Sequence, residues 1–227
     1  MPDDIVATVD LVRNLIEVIE DGHPQPPILF IDLEGVNLSR HGSIAIMQVL
    51  IPPDRKAYLV DIHILKARAF ETSSTRGLTL KTILESRQFP KIRLDSAIDS
   101  QLLEFATRRV RGKFVKGLTK CISEDNTLSW TQSHQWREDK EAGRKSFAPE
   151  RRGRYEVFLQ RPLPPEIVLY CTQDVLYMPR LLLSYARRLQ PGLAFQIQSE
   201  TVNRILLSQS PHFNGEGKHM AIGPIFA

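Results

Sequence analysis

Three short apolar runs, separated by turns, constrain the fold of this chain more than any other feature of its sequence. They cover residues 28–32, 44–51 and 57–62, and Pro52 and Pro53 close the second run. Apolar runs of roughly four to eight residues between turn residues are typical of strands buried in a sheet. Short links between consecutive strands favour antiparallel neighbours. We therefore predict an antiparallel meander at the start of an α/β domain.

The remainder of the chain carries patterns that are typical of helices. Apolar residues at helical spacing predict an amphipathic helix over residues 5–19, before the first strand. Asp99 is a suitable N-cap for a helix over residues 99–111. Pro179 must kink or restart the strong helix that is predicted over residues 164–189. The weaker patterns predict helices over residues 78–86 and 195–208, a helical turn over residues 117–123 and a strand over residues 91–95.

Length and composition fit one main domain with an extension at each end. The chain has 227 residues, of which 42% are apolar, and one domain typically takes roughly 100–200 residues. We expect an N-terminal helix and linker in residues 1–26, the main domain in residues 27–190, and a C-terminal helix and tail in residues 191–227.

Charge and cysteine content favour an intracellular protein that can meet nucleic acid. Thirty Lys and Arg against 26 Asp and Glu give a net charge of +4 and a pI near 9.1, which permits a nucleic-acid partner. Cys121 and Cys171 are too few for a disulfide framework. The N-terminal segment lacks the basic start of a secretory signal, and no apolar stretch reaches the roughly 20 residues of a membrane span. We expect a cytoplasmic or nuclear protein that is neither secreted nor bound to a membrane.

The sharpest local feature is a pair of acids at the end of the first predicted strand. Asp32 and Glu34 flank Leu33, and residues i and i+2 of a strand point to the same face. Two adjacent carboxylates beside an apolar strand are costly unless a cation lies between them. Oxygen ligands suit Mg²⁺ or Mn²⁺, so the pair predicts a metal site. Two solvated acids at a strand end are the alternative.

A second pair, Tyr170 and Asp174, lies four residues apart in the predicted helix that starts at Pro164. Residues i and i+4 share one face of a helix. A helix that crosses the end of the first strand brings Asp174 to the same cation and the Tyr170 hydroxyl to a water molecule beside it. Taken alone, the pair is more typical of a half-buried core tyrosine next to a surface acid.

The order and combination of the two pairs resemble the DEDDy subgroup of the 3′–5′ exonucleases. Residues 31–38 (IDLEGVNL), with His41 and Gly42, look like the first exonuclease motif of the Egalitarian-type branch. Residues 169–175 (LYCTQDV), followed by PRL at residues 179–181, look like the third motif. The family is the ribonuclease D-like superfamily, and the resemblance runs from residue 28 to residue 189.

The resemblance implies a fold, a reaction and a site. The fold would be α/β, with a ribonuclease H-like mixed sheet of an antiparallel meander and then parallel strands, shortened here and flanked by helices. The reaction would be hydrolysis of terminal phosphodiester bonds of RNA or DNA, at a single-stranded 3′ end. Two Mg²⁺ or Mn²⁺ ions would be held by Asp32, Glu34, Asp174 and one further Asp, and Tyr170 would orient the attacking water.

The second exonuclease motif, which supplies the further Asp, departs from the family pattern. Between Lys91 and Gln101 the chain offers only KIRLDSAIDSQ, so a strand and a helix of the pattern are absent. Aligned on the upstream strand, Asp99 takes the position of the second motif and becomes a catalytic metal ligand. Aligned on the downstream helix, Asp99 is a different family Asp and the motif is missing. Asp95 is a weaker candidate.

Basic residues near the motifs are candidates for contact with nucleic acid. Arg40 and His41 follow the first motif, where a terminal phosphate would pass, although a plain turn also explains them. Residues 130–161 are polar and charged, and we predict a surface excursion there. Basic residues interleaved with aromatic residues suit a single-stranded nucleic acid, and a solvated loop is an equally good interpretation. The basic and aromatic residues of this segment are Arg144, Lys145, Arg151, Arg152, Arg154, Phe147 and Tyr155.

Two functions stay open at this point. If Asp99 is a ligand, the chain is a metal-dependent 3′–5′ exonuclease. If Asp99 is idle, the chain is a nucleic-acid-binding or scaffold module that keeps the fold without turnover. A glycosidase is a poor third possibility, because Asp32 and Glu34 on one strand face lie too close to flank a glycosidic bond at the usual separation of about 5–9.5 Å.

Overall fold

The computed structural model describes residues 5–21, 28–39, 41–53, 56–86, 88–89, 91–92, 99–110, 112–125, 128–215 and 217–226. The strands within these residues are β1 (Ile5–Val6), β2 (Leu29–Val36), β3 (Ser43–Leu50), β4 (Ala57–Asp61) and β5 (Lys91–Ile92). The helices are α1 (Val9–Asp21), α2 (Ile62–Leu65), α3 (Arg68–Glu71), α4 (Leu80–Glu85), α5 (Ser100–Thr107), α6 (Leu118–Glu124), α7 (Trp130–Phe147), α8 (Pro165–Leu176), α9 (Met178–Ala186) and α10 (Leu193–Ser208). Among the described helices, none combines the length and the apolar character that crossing a bilayer requires.

The described strands form one mixed sheet in the order β1-β4-β3-β2-β5. Strands β2, β3 and β4 are antiparallel neighbours, which confirms the predicted meander. Strand β1 runs parallel to β4, and β5 runs parallel to β2. The predicted fold class, a mixed sheet flanked by helices, is thus confirmed, and the parallel strands at its edges are two residues long.

The N-terminal boundary of the first helix was predicted wrongly. Residues 5–19 show one helical apolar pattern, but Ile5 and Val6 pair with Leu59 and Val60 of β4 as a strand, and the helix begins at Val9. Two apolar residues fit a helix face and a buried strand equally well, so sheet pairing decides between them.

Helices cover both faces of the sheet. On one face, α1 and α4 pack on side chains of β2 and β3 that include Leu29, Ile31 and Met47. On the other face, Ile46 of β3 packs with α8 through Ile167 and Cys171. The same face carries Phe30 and Leu50, which pack against Val175 and Met178. Helix α8 therefore lies across the face of β2 to which the even-numbered residues of β2 point.

The prediction of a surface excursion over residues 130–161 is partly wrong, because α7 packs along α8. Ser129 and Gln132 form a capping box that begins the helix. The buried residues of α7 are Trp136, Lys140 and Gly143, which recur at helical spacing. Two of these three are not apolar, so the buried stripe is invisible to a hydrophobic pattern.

Gly143 sets how closely α7 approaches α8. A Cβ atom at this position would lie 2.5 Å from Cβ of Tyr170, which is far inside van der Waals contact. Only glycine therefore allows the two helices to meet at this separation.

We predict that Gly143→Ala destabilises the protein, by about 1–3 kcal/mol in the free energy of unfolding, because the methyl group overpacks the helix interface. At an exposed helical site the same change stabilises by roughly 0.5–1 kcal/mol. Urea denaturation of the purified variant measures the difference. Thr131→Ala, at an exposed position of α7, is the matched control and should not destabilise. A Gly143→Ala protein at least as stable as the wild type would contradict the close packing of α7 on α8.

Candidate active site

Strand β2 presents two acids on the face that α8 covers. Asp32 and Glu34 alternate with Leu33, which packs into the cluster on the opposite face beside α1. Phe30, two residues before Asp32, packs against Val175 of α8 and its neighbours. The strand period of two therefore directs both carboxylates towards α8. The strand continues to Val36, so the two acids lie within the strand and not at its end, where the sequence analysis placed them.

A β-bulge follows directly after Glu34. The pairing of β2 with β3 shifts between Glu34 and Gly35. A Cβ atom on Gly35 would lie 2.0 Å from the carbonyl oxygen of Ser43, so the close approach of the two strands requires glycine. Bulges redirect side chains at the edge of a functional site, and this one lies at the first exonuclease-like motif.

Helix α8 carries the second pair of predicted site residues. It begins at Pro165 and ends at Leu176, and α9 with Pro179 in its first turn follows at once, as the sequence predicted. Arg161, just before α8, is bound to Asp61 at the end of β4, with 2.6 Å between Nη2 and Oδ1. This ion pair fixes the start of α8 over the sheet.

The three predicted carboxylates meet between β2 and α8. Asp32, Glu34 and Asp174 each offer one oxygen atom, and these atoms lie within 4.8 Å of one another. Three like charges this close are unfavourable without positive charge among them. An all-oxygen donor set suits Mg²⁺ or Mn²⁺. The residues present therefore fit a divalent cation.

Tyr170 lies one turn before Asp174 and beside the same acids. Burial raises its pKa above the ordinary value, and the charges of Asp174, Glu34 and Asp32 raise it further. The phenol therefore keeps its proton and acts as a hydrogen-bond donor rather than as a base. Its ring meets the ring of Phe147 edge-on, with the centroids 5.0 Å apart.

Lys140 of α7 is a member of the site that the sequence analysis missed. Its Nζ lies 2.5 Å from Oδ1 of Asp174, and the two side chains are 8% and 6% exposed. The same Nζ lies 3.2 Å from the centroid of the Tyr170 ring. The only signal in the sequence is the position of Lys140 between Trp136 and Gly143 on one helix face.

Cys171, next to Tyr170, is a core residue and not a nucleophile. It is fully buried between α8 and the sheet. Burial raises the pKa of its thiol well above the ordinary value, and the charges of Glu34 and Asp174 add to the effect. A thiol that keeps its proton is unreactive.

Asp99 is not part of the carboxylate group. Its side chain accepts a hydrogen bond from the backbone N–H of Gln101, at 2.8 Å, and caps α5, as the sequence predicted. Its other oxygen lies 3.7 Å from Nη1 of Arg204 on α10. Both partners place Asp99 in the contact between α5 and α10, so the structure gives no support for it as the fourth ligand.

Of the remaining candidates, two lie outside the described residues and one lies in the turn after β2. Arg40 and Asp95 are outside the described residues. His41 is exposed in the turn between β2 and β3, where its backbone N–H donates to Oγ of Ser39 at 3.3 Å. Its contact with nucleic acid stays a prediction.

A cavity of 430 Å³ opens beside Glu34. Tyr155 and Phe213 line it, together with the turn after β2. Tyr155 also stacks against Phe147 with the ring centroids 5.9 Å apart, and Phe147 in turn touches Tyr170. A chain of aromatic contacts thus connects Tyr155 at the cavity with Tyr170 beside the carboxylates.

Comparison with known proteins gives one relative by sequence. No model of a known protein family matches this chain. The piRNA biogenesis protein EXD1 of the mouse (Mus musculus) is 31% identical over an alignment of 171 residues, and the match covers 66% of this chain and 28% of EXD1. The chain therefore spans less than a third of the length of that relative.

Solved structures share the fold at low sequence identity. Ribonuclease D of Trypanosoma brucei superimposes with a TM-score of 0.73 at 15% identity, covering 96% of this chain and 77% of that one. Its complex with RNA U12 gives 0.70 at 12% identity, covering 98% and 75%. Ribonuclease D of Escherichia coli gives 0.59 at 17% identity, covering 92% and 51%.

These findings agree with the motifs. Asp-x-Glu lies on β2 and Tyr-x-x-x-Asp on α8, in the order that the sequence resemblance requires. The fold is similar to that of the ribonuclease D structures, and the sequence is similar to that of EXD1. The motifs, the fold and the similarity to EXD1 together support a domain like those of the DEDDy-type, ribonuclease D-like exonucleases.

Proposed function

We propose that this domain is a metal-dependent 3′–5′ exonuclease that hydrolyses the terminal phosphodiester bond of a single-stranded nucleic acid. The observation that carries the proposal is the convergence of Asp32, Glu34 and Asp174 beside Tyr170. We assign the activity to residues 27–190, to which the C-terminal tail adds Phe213 at the cavity.

The carboxylates are the residues that would hold Mg²⁺ or Mn²⁺. A bound divalent ion would supply Lewis-acid stabilisation of the negative charge that develops on the phosphoryl oxygens. The family pattern has two ions and four carboxylates, and Asp99 lies outside the described group of three. The role of Asp32, Glu34 and Asp174 is to place the positive charge of the metal ion next to the scissile bond.

Tyr170 positions the attacking water. Its hydroxyl keeps its proton because burial and the neighbouring acids raise its pKa. A protonated phenol donates a hydrogen bond to the water oxygen and fixes its lone pair in line with the phosphorus atom. The contact of its ring with Phe147 restricts the side chain to this orientation.

The cavity beside Glu34 is the proposed entrance for the 3′ end. Tyr155 and Phe213 offer aromatic surfaces at its wall, and bases stack on such surfaces without regard to sequence. Ribonuclease D of Trypanosoma brucei is seen with RNA U12 and with GMP, and EXD1 is named for piRNA biogenesis. RNA is therefore the first substrate to test.

A second candidate function is a nucleic-acid-binding module without turnover. It is favoured by the ion pair of Lys140 with Asp174 and by the position of Asp99 at the N-terminus of α5. Both features reduce the negative carboxylate charge that is available to bind a second metal ion.

We predict that the wild-type protein shortens a 5′-labelled RNA oligonucleotide in the presence of Mn²⁺ or Mg²⁺, and that Glu34→Gln lowers the rate at least about 100-fold, because electrostatic stabilisation is the main catalytic contribution. A denaturing gel that resolves the ladder of products measures both. A DNA oligonucleotide of the same sequence, run in parallel, gives the preference for sugar.

The matched control for Glu34→Gln is Asp99→Asn, which also replaces a carboxylate by an amide. Asn caps a helix as well as Asp does, so this variant should fold and degrade RNA at the wild-type rate. A loss of activity with Asp99→Asn would place Asp99 in the catalytic site after all. Intact oligonucleotide after incubation with folded wild-type protein and either metal would remove the exonuclease and favour the binding module.

We predict that Tyr155→Ala and Phe213→Ala each weaken binding of a single-stranded oligonucleotide by about 1–3 kcal/mol, the usual contribution of one stacked base. Fluorescence anisotropy in the Glu34→Gln background, which prevents degradation, measures the affinity. Trp130→Ala removes an aromatic side chain that is 80% exposed at the far end of α7 and should leave affinity unchanged. Equal affinities for all four proteins would exclude the cavity as the binding site.

A further inference from the structure

The site contains a cation of its own. The ammonium group of Lys140 is bound to Asp174 and lies over the ring of Tyr170. We propose that Lys140 takes the place of one of the two metal ions of the family site, so that the carboxylate group of this chain binds a single divalent cation. This inference rests on the metal site of the proposed function.

The packing of α7 on α8 fixes Lys140 in this position. Asp139 accepts a hydrogen bond from Nε2 of Gln173 at 2.8 Å, one residue away from the Lys140–Asp174 pair on each helix. Six residues after Lys140 in α7, the hydroxyl of Ser146 donates a hydrogen bond to Oε1 of Glu166 at 3.2 Å. Gly143 lies between these two contacts and lets α7 reach Tyr170. The helix is thus held on both sides of Lys140.

The charges of the site favour one divalent ion. The family pattern combines four carboxylates with two divalent ions, which neutralise each other. Among the described residues three carboxylates lie together, and the ammonium of Lys140 already offers a positive charge to one of them, Asp174. A second divalent ion at Asp174 would meet the like charge of this ammonium at close range, which is unfavourable in a buried site.

A purely structural ion pair between α7 and α8 would leave the wild type with the two ions of the family pattern. If Lys140 replaces an ion, the wild type binds one, and removal of the ammonium raises the affinity of the group for divalent cations. The number of ions that the wild type binds, measured without substrate, therefore separates the two roles.

The test is a titration of the metal-free protein with Mn²⁺ alone, with free Mn²⁺ followed by electron paramagnetic resonance. We expect the wild type to bind one Mn²⁺ per chain and Glu34→Gln to lose it. Lys140→Met, which keeps the length of the side chain, should bind Mn²⁺ at least about tenfold more tightly, because a positive charge a few ångströms away no longer opposes the metal. Lys145→Met, at an exposed position of the same helix, should bind as the wild type does.

The stability of the variants guards against a trivial failure to fold. In EDTA, Lys140→Met should unfold at least about 6 °C below the wild type, since it leaves a buried carboxylate without its partner, and Mn²⁺ should restore the midpoint. The double variant Lys140→Met/Asp174→Asn removes both members of the ion pair, so it leaves no buried charge without its partner and should stay folded in EDTA.

Two results overturn the inference: two Mn²⁺ ions bound at the group in the wild type, or equal Mn²⁺ affinity in Lys140→Met and wild type. The proposed function fails separately. One bound Mn²⁺ and tighter binding by Lys140→Met, with no degradation of RNA, would remove the exonuclease and leave this inference standing. Degradation of RNA by a protein that binds two ions at the group would support the exonuclease and overturn the inference about Lys140.

Discussion

The position of α8 across the sheet is the constraint on which the rest of the site depends. Ile167, Cys171 and Val175 pack on the sheet, and this apolar contact fixes both the depth and the rotation of the helix. Asp174 is carried beside Val175 and so arrives opposite the acids of β2. Core packing therefore builds the site. Apolar residues position the helix, and the polar residues meet because Asp32 and Glu34 lie on the face of β2 that α8 covers, where α8 brings Asp174.

Bringing three carboxylates together beside a core creates an electrostatic problem that the surrounding structure solves in part. Lys140 contributes one positive charge from α7, within 2.5 Å of Asp174. Burying Lys140 is itself unfavourable unless it is paired, so α7 and α8 depend on each other. The close approach at Gly143 and the polar contacts on either side of Lys140 hold the ammonium of Lys140 against the carboxylate of Asp174. The proposed metal ion would offset the negative charge of the other carboxylates of the group.

The strand and helix that carry the motifs were predictable from sequence, because apolar runs and helical periodicity report on burial directly. The meander of β2, β3 and β4 and the start of α8 at its prolines follow from such patterns. Lys140 was missed because its burial depends on a partner 34 residues away, and pattern analysis places a lysine at the surface. Asp99 was recognised as a helix cap, but only the fold shows that this cap faces Arg204 and not the acids.

The central claim is that Asp32, Glu34 and Asp174 form a binding site for a divalent cation. Anomalous X-ray diffraction from crystals of the wild-type protein grown with Mn²⁺ tests it most directly. The account predicts one anomalous peak within bonding distance of all three carboxylates, with Lys140 still bound to Asp174. The absence of any peak at these residues, in crystals whose cavity beside Glu34 is open to solvent, would contradict it.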